Sequence, residues 1–156
     1  MTGDLDVEDE LTGSEPIEIL LVEDNPGDVR LVEEGLSTMR IANDVTVLRD
    51  GDEALDYLHR EDGYEDASRP ELILLDLNLP RVGGHELLAR VKDDPELQEI
   101  PVVILTTSDD EDDLRKSYEL QAAGFITKPM DVKTFIATIH ELGLYWVQVV
   151  KLPNLD

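Results

Sequence analysis

Five short apolar runs recur along the chain, and the segments between them carry apolar residues at helical spacing. Ile17-Glu18-Ile19-Leu20-Leu21-Val22, Asp44-Val45-Thr46-Val47-Leu48, Leu72-Ile73-Leu74-Leu75-Asp76, Pro101-Val102-Val103-Ile104-Leu105 and Gly124-Phe125-Ile126 read as strands. The third is an almost unbroken aliphatic run that enters Asp76 and is closed by Pro80. Such a run suits a strand buried on both faces of a parallel sheet. The second run is partly polar, as an edge strand would be.

The intervening segments predict helices. Asn25 can cap a helix with Pro26 at its first position and Leu31, Val32 and Leu36 on its buried stripe, ending near Thr38. Asp50 or Asp52 starts the next, with Ala54, Leu55 and Leu58 facing inward. A polar loop, Glu61–Pro70, precedes the central strand. Gly83-Gly84 opens a helix carrying Leu87, Leu88 and Val91 that stops before Pro95. A fourth runs from Glu111 to Ala122 with Leu114, Tyr118 and Ala122 on one side. Asp131 caps a fifth, whose stripe includes Phe135, Ile136, Ile139 and Leu142. Strands alternating with helices imply an α/β three-layer sandwich with a parallel sheet and right-handed crossovers. Residues 1–15 are acidic without an apolar period and read as a disordered tail.

Composition narrows the function classes. The 156 residues hold no cysteine, which excludes disulfide scaffolds, thiolate metal sites and cysteine nucleophiles. No apolar run approaches the roughly 20 residues of a membrane span, and the acidic N-terminus does not resemble a secretory signal. A soluble, cytoplasmic protein is expected. Thirteen basic against thirty-seven acidic side chains give a formal charge of −24, which repels nucleic acid. It also repels itself, and molar salt relieves that by shrinking the Debye length to about 3 Å. A halophilic host is the expectation.

Parallel strands place their carboxyl ends on one rim, where ligands collect in open α/β sheets. Strands one, three, four and five end in Glu23-Asp24, Asp76, Thr106 and Lys128. Two carboxylates about 4 Å apart repel by roughly 4 kcal/mol at an effective dielectric near 20. Three need more compensation than Lys128 alone supplies. A hard divalent cation such as Mg2+, held by one or two of these carboxylates with a third ligand from a backbone carbonyl near Asn78, completes the set. A carboxylate in that setting can accept a phosphoryl group, with Thr106 and Lys128 holding its oxygens.

On Leu21-Val22-Glu23-Asp24-Asn25, Asp76-Leu77-Asn78-Leu79-Pro80 with Gly84, Leu105-Thr106 and Lys128-Pro129, the chain resembles the receiver domain of two-component response regulators over residues 17–143. The resemblance implies a flavodoxin-like strand order, 2-1-3-4-5. It implies Asp76 as phospho-acceptor and metal ligand, Glu23 and Asp24 as the acidic pocket with Asp24 the direct magnesium ligand, and Asn78 as backbone ligand. Thr106 and Phe125 become the switch pair, Lys128 the partner of the phosphoryl group, and its bond to Pro129 cis. Thr107 departs from the small residue usual there and is expected to narrow access.

The division is then 1–15 tail, 16–143 receiver and 144–156 helical extension. That extension holds Trp146 and resembles the long final helix of the cyanobacterial phytochrome response regulators. A receiver with no output domain of its own would take phosphate from a sensor histidine kinase or phosphotransfer protein. It would then signal through Leu114, Tyr118, Phe125, Ile136 and Trp146, to a partner or as a homodimer through the fourth helix, fifth strand and last helix. Two alternatives are weaker. A dehalogenase-like phosphatase needs an acid at position 78, and a flavodoxin-type binder needs a first loop that does not repel phosphate. His59, His85 and His140 share no metal-ligand spacing and are expected on the surface or between helices.

Overall fold

A computed structural model describes residues 16–37, 42–107 and 111–128, together with Lys133 and Ala137. The 1–15 tail, Pro129, Ile136, His140 and the 144–156 extension with Trp146 lie outside the described residues. Five strands, β1 (Ile17–Val22), β2 (Asn43–Leu48), β3 (Leu72–Asp76), β4 (Val102–Thr106) and β5 (Gly124–Thr127), pair in parallel in the order β2-β1-β3-β4-β5. The described helices are α1 (Pro26–Ser37), α2 (Gly51–His59), α3 (Gly84–Asp93) and α4 (Glu111–Glu119). This is the expected order, with β2 at the edge.

The sheet is covered on both faces, so each inner strand splits its side chains between two cores. Ile19, Leu21, Leu72, Leu74, Val103, Leu105 and Ile126 pack against Val29, Val32 and Leu36 of α1. The alternate residues, Leu20, Val22, Ile73, Leu75, Val102 and Ile104, pack against α2 and α3. Two buried faces leave no polar alternation in β3 and β4, every residue of which is buried. The long loop after α2 is not a bare excursion: Tyr64 and Ala67 pack on this second core, and Tyr64 meets Tyr57 edge-on at 5.4 Å. Among the described residues no helix is long and apolar enough to cross a membrane.

Helix α4 ends three residues before the expected Ala122. Gln121 takes a left-handed φ of 69°, and the Gln121 and Ala122 N–H groups donate to the carbonyls of Tyr118 and Ser117. That double bond pattern is a Schellman closure. It frees Ala123, whose N–H donates to Val102, to enter β5. The same closure at Arg60 ends α2.

The packing of α4 also differs from the pattern of Leu114, Tyr118 and Ala122. Its buried residue is Ser117, whereas Leu114 is half-buried and Tyr118 is 69% exposed. His85 of α3 reaches Ser117 Oγ at 3.0 Å and the Asp113 carbonyl at 3.2 Å through Nε2. A carbonyl can only accept, so Nε2 carries the proton and bridges the two helices. His85 is a helix-packing residue.

Two glycines permit the close approaches behind the carboxyl edge of the sheet. A Cβ on Gly84 would lie 2.6 Å from the Asp76 carbonyl oxygen and 2.6 Å from Leu77 Cα. A Cβ on Gly51 would overlap the Val82 carbonyl. We predict that Gly84→Ala and Gly51→Ala each destabilise by about 1–3 kcal/mol, the range for overpacking. Gly124→Ala, where a Cβ meets nothing within 4 Å, should stay within about 0.5 kcal/mol of wild type in urea unfolding.

Candidate functional site

The parallel register sets the site. Asp76 closes β3 opposite Leu105, Thr106 closes β4 opposite Thr127, and the Lys128 N–H donates to the Thr106 carbonyl at 2.6 Å. Glu23 follows β1 directly, its N–H bound to Leu48 at 2.9 Å, and its side chain turns fully inward. Asp24 faces solvent, and Asp76 is 4% exposed. The strand ends therefore bring Glu23, Asp24, Asp76, Thr106 and Lys128 to one edge, as the sequence pattern predicts. One carboxylate oxygen from each of Glu23, Asp24 and Asp76 falls within 4.8 Å of the others.

Each of these groups is held from a second direction. Glu23 Oε1 accepts from Lys128 Nζ at 2.7 Å, and its Oε2 accepts from the Asn25 N–H at 3.2 Å. Asp76 Oδ1 accepts from the Asn78 N–H at 3.1 Å. Lys128 Nζ also donates to Asp28 Oδ2 at 2.8 Å and lies 3.8 Å from Asp76 Oδ2. Asn25 caps α1 as expected, its Oδ1 accepting from the Asp28 N–H at 3.0 Å.

Asp28 is the residue that sequence reasoning missed. It sits in the first turn of α1, one helical turn beyond Asp24, where a carboxylate also suits the helix dipole. That position was legible, but its partner 100 residues away was not.

The electrostatics show a shortage of positive charge. Burial pushes Glu23 up to about 7, the Lys128 hydrogen bond draws it down, and Asp76 raises it again. Burial by itself would lower Lys128, yet its hydrogen bonds to the Asp28 and Glu23 carboxylates and the field of Asp76 raise it. Short of positive charge, the Glu23 carboxyl thus retains its proton to near neutrality. The clustered carboxylates of Glu23, Asp24 and Asp76 offer oxygen donors that fit a hard divalent cation.

Away from the carboxylates, Thr106 is fully buried behind the edge. Phe125 of β5 is half-buried, its ring 5.2 Å from that of Tyr118 at 57°. Leu114 and Tyr118 thus share one face with Phe125, while Ile136 and Trp146 lie outside the described residues. His59 is apart from the site, 3.4 Å from Asp94.

A family model of the response regulator receiver domain matches residues 19–140. The chain belongs to the response regulator receiver family. It is 46% identical to the response regulator Rcp1 of Synechocystis over 138 residues, covering 88% of this chain and 94% of that protein. It is 40% identical to a probable methanogenesis regulatory protein, FilR2, of Methanothrix harundinacea, covering 99% of each. The Mn2+-bound crystal structure of Rcp1 superposes with a TM-score of 0.80, covering 88% of this receiver and 99% of that chain. The phosphorylated cyanobacterial phytochrome response regulator RcpA does so at 0.80 and 44% identity, covering 85% and 95%.

This receiver is accordingly a two-component signalling protein of a family phosphorylated on aspartate by a kinase. Receivers interact with sensor kinases or phosphotransfer partners and bind a divalent metal. Neither the phosphatase nor the flavodoxin-type alternative finds support.

A raised carboxylate pKa has a definite sign in folding. The folded state holds the Glu23 proton up to about pH 7, so the stability this group contributes is present below its unfolded value and is lost as pH rises through 7. We predict that the chelator-treated receiver loses stability between pH 5 and 8, by on the order of 1–3 kcal/mol from Glu23. Glu23→Gln should flatten that part of the profile in urea titrations at fixed salt.

Proposed function

We propose that Asp76 is the residue phosphorylated in this receiver, with Mg2+ as the bound metal. One observation carries the reading: a nearly buried carboxylate closes the central strand between an acidic pair and a lysine, with Lys128 Nζ 3.8 Å from Asp76 Oδ2. A carboxylate oxygen of Asp76 attacks phosphorus, the bond from phosphorus to the donor's histidine nitrogen breaks, and an acyl phosphate results. The Asn78 N–H orients the attacking carboxylate, and the Asn78 carbonyl is the third protein ligand. Asp24 and Asp76 hold the metal, which when bound offsets the charge of the phosphoryl oxygens. Glu23 stays in the pocket as the anchor of Lys128, whose ammonium meets the incoming anion. The receiver itself supplies the groups for attack and for later hydrolysis of the acyl phosphate.

Thr106 and Phe125 form the switch. A buried hydroxyl that moves toward the phosphoryl group vacates space for the neighbouring ring, and two such packings make a bistable element. Residues 16–143 form the receiver, 1–15 an acidic tail and 144–156 a helical extension of the output face. The kinase partner is a sensor histidine kinase or phosphotransfer protein in the cytoplasm. The charge of −24 supports a halophilic setting.

Intact mass after incubation with acetyl phosphate and magnesium should show one phosphoryl adduct on wild type and none on Asp76→Asn; equal adducts would remove Asp76 from the role. In a magnesium titration, Asp24→Asn should weaken binding more than Glu23→Gln, and the reverse order would exchange the two assignments. The output face around Leu114, Tyr118 and Phe125, continued by Ile136 and Trp146, should support a dimer once salt screens the charge. Sedimentation of wild type and of a truncation after Gly143 should show dimer only for wild type in molar salt. Monomers throughout would leave a foreign partner as the reader of this face.

A further inference from the structure

We infer that Asp28 is a positioning residue that holds the Lys128 ammonium away from Asp76 and so sets how tightly the site takes a phosphoryl group; this rests on Asp76 being the acceptor. The ammonium has three N–H donors. Two go to Glu23 Oε1 at 2.7 Å and Asp28 Oδ2 at 2.8 Å, while Asp76 Oδ2 lies at 3.8 Å, within ion-pair reach but beyond a hydrogen bond. Lys128 is therefore drawn toward the β1–α1 side of the cleft rather than toward the acceptor.

Two features make Asp28, and not Glu23, the adjustable partner. Glu23 is fully buried and also bound by the Asn25 N–H, so water has no access to take the place of Lys128 beside it. Asp28 stands in the first turn of α1 with its side chain 32% exposed, where water can solvate the carboxylate when the lysine leaves. Its backbone N–H is held by the Asn25 cap, so the carboxylate is presented from a fixed first turn of α1. A phosphoryl group on Asp76 must draw the ammonium from Asp28, and the strength of that ion pair opposes it. Asp28 thereby weakens the charged state of Asp76 and acts on it wholly through Lys128.

The test is beryllofluoride binding at saturating magnesium in molar salt, where long-range fields are screened and the direct contact persists. Asp28→Asn should bind about fivefold tighter than wild type, the scale of one partly exposed ion pair. Asp28→Glu, which restores the charge, should stay within about twofold of wild type. A structural role for Asp28 predicts the opposite direction, since loss of a site-building group weakens binding, and urea unfolding of each variant confirms that it is folded. Equal or weaker binding by Asp28→Asn overturns the inference, as does Asp28→Glu binding as tightly as Asp28→Asn. In either case an intact wild-type adduct leaves the acceptor assignment standing. Failure of wild type to form an adduct that Asp76→Asn lacks overturns that assignment and this inference with it.

Discussion

The buried ion pair between Lys128 and Glu23 is the interaction on which the site depends. It spans 105 positions of sequence at 2.7 Å and ties the end of β5 to the end of β1, the second strand from the opposite side of the sheet. Removing Glu23 would leave the Lys128 ammonium without its shortest contact, and removing Lys128 would leave the buried Glu23 carboxyl without the group that favours its charged form. With the pair in place, Asp76 can stand almost buried beside Glu23, because a single ammonium faces both. The surplus of negative charge that remains is what a divalent cation can offset.

The position of Asp76 is a consequence of backbone packing rather than of side-chain reach. Register with β4 fixes the strand, the Asn78 N–H fixes the carboxylate, and Gly84 lets the start of α3 press against the Asp76 carbonyl. A carboxylate held by rigid elements keeps its geometry while its surroundings change. The surroundings that can change lie on the other side of β4. Helix α4 buries Ser117 and is bridged to α3 by His85, a polar attachment in place of the apolar stripe that seats α1, α2 and α3. Few buried apolar contacts mark the part of a structure that shifts at least cost, and Tyr118 rides on that part with its ring against Phe125 of β5.

Charge and fold therefore act at different ranges. At short range, the carboxylates of Glu23, Asp28 and Asp76 converge on one ammonium at 2.7, 2.8 and 3.8 Å, and those distances decide which are hydrogen-bonded. At long range, a net charge of −24 governs whether two copies or a partner can approach at all.

The sequence by itself determined the architecture, the strand order through the family resemblance, and the membership of the edge cluster. Local pattern is enough for these. A strand buried on both faces is aliphatic throughout, and the residues at its C-terminal end sit on the carboxyl edge once the strands are parallel. Glu23, Asp76, Thr106 and Lys128 were legible for that reason. Only the tertiary structure decided that Lys128 divides itself between Glu23 and Asp28, that Glu23 retains a proton to about pH 7, and that α4 closes at Gln121 with Ser117 inward. Each of these depends on how side chains far apart in the chain meet, or on a left-handed turn that a glutamine does not advertise. A periodic pattern records which side of an element is buried; it carries no distances between elements, and ion pairing and proton affinity are functions of distance.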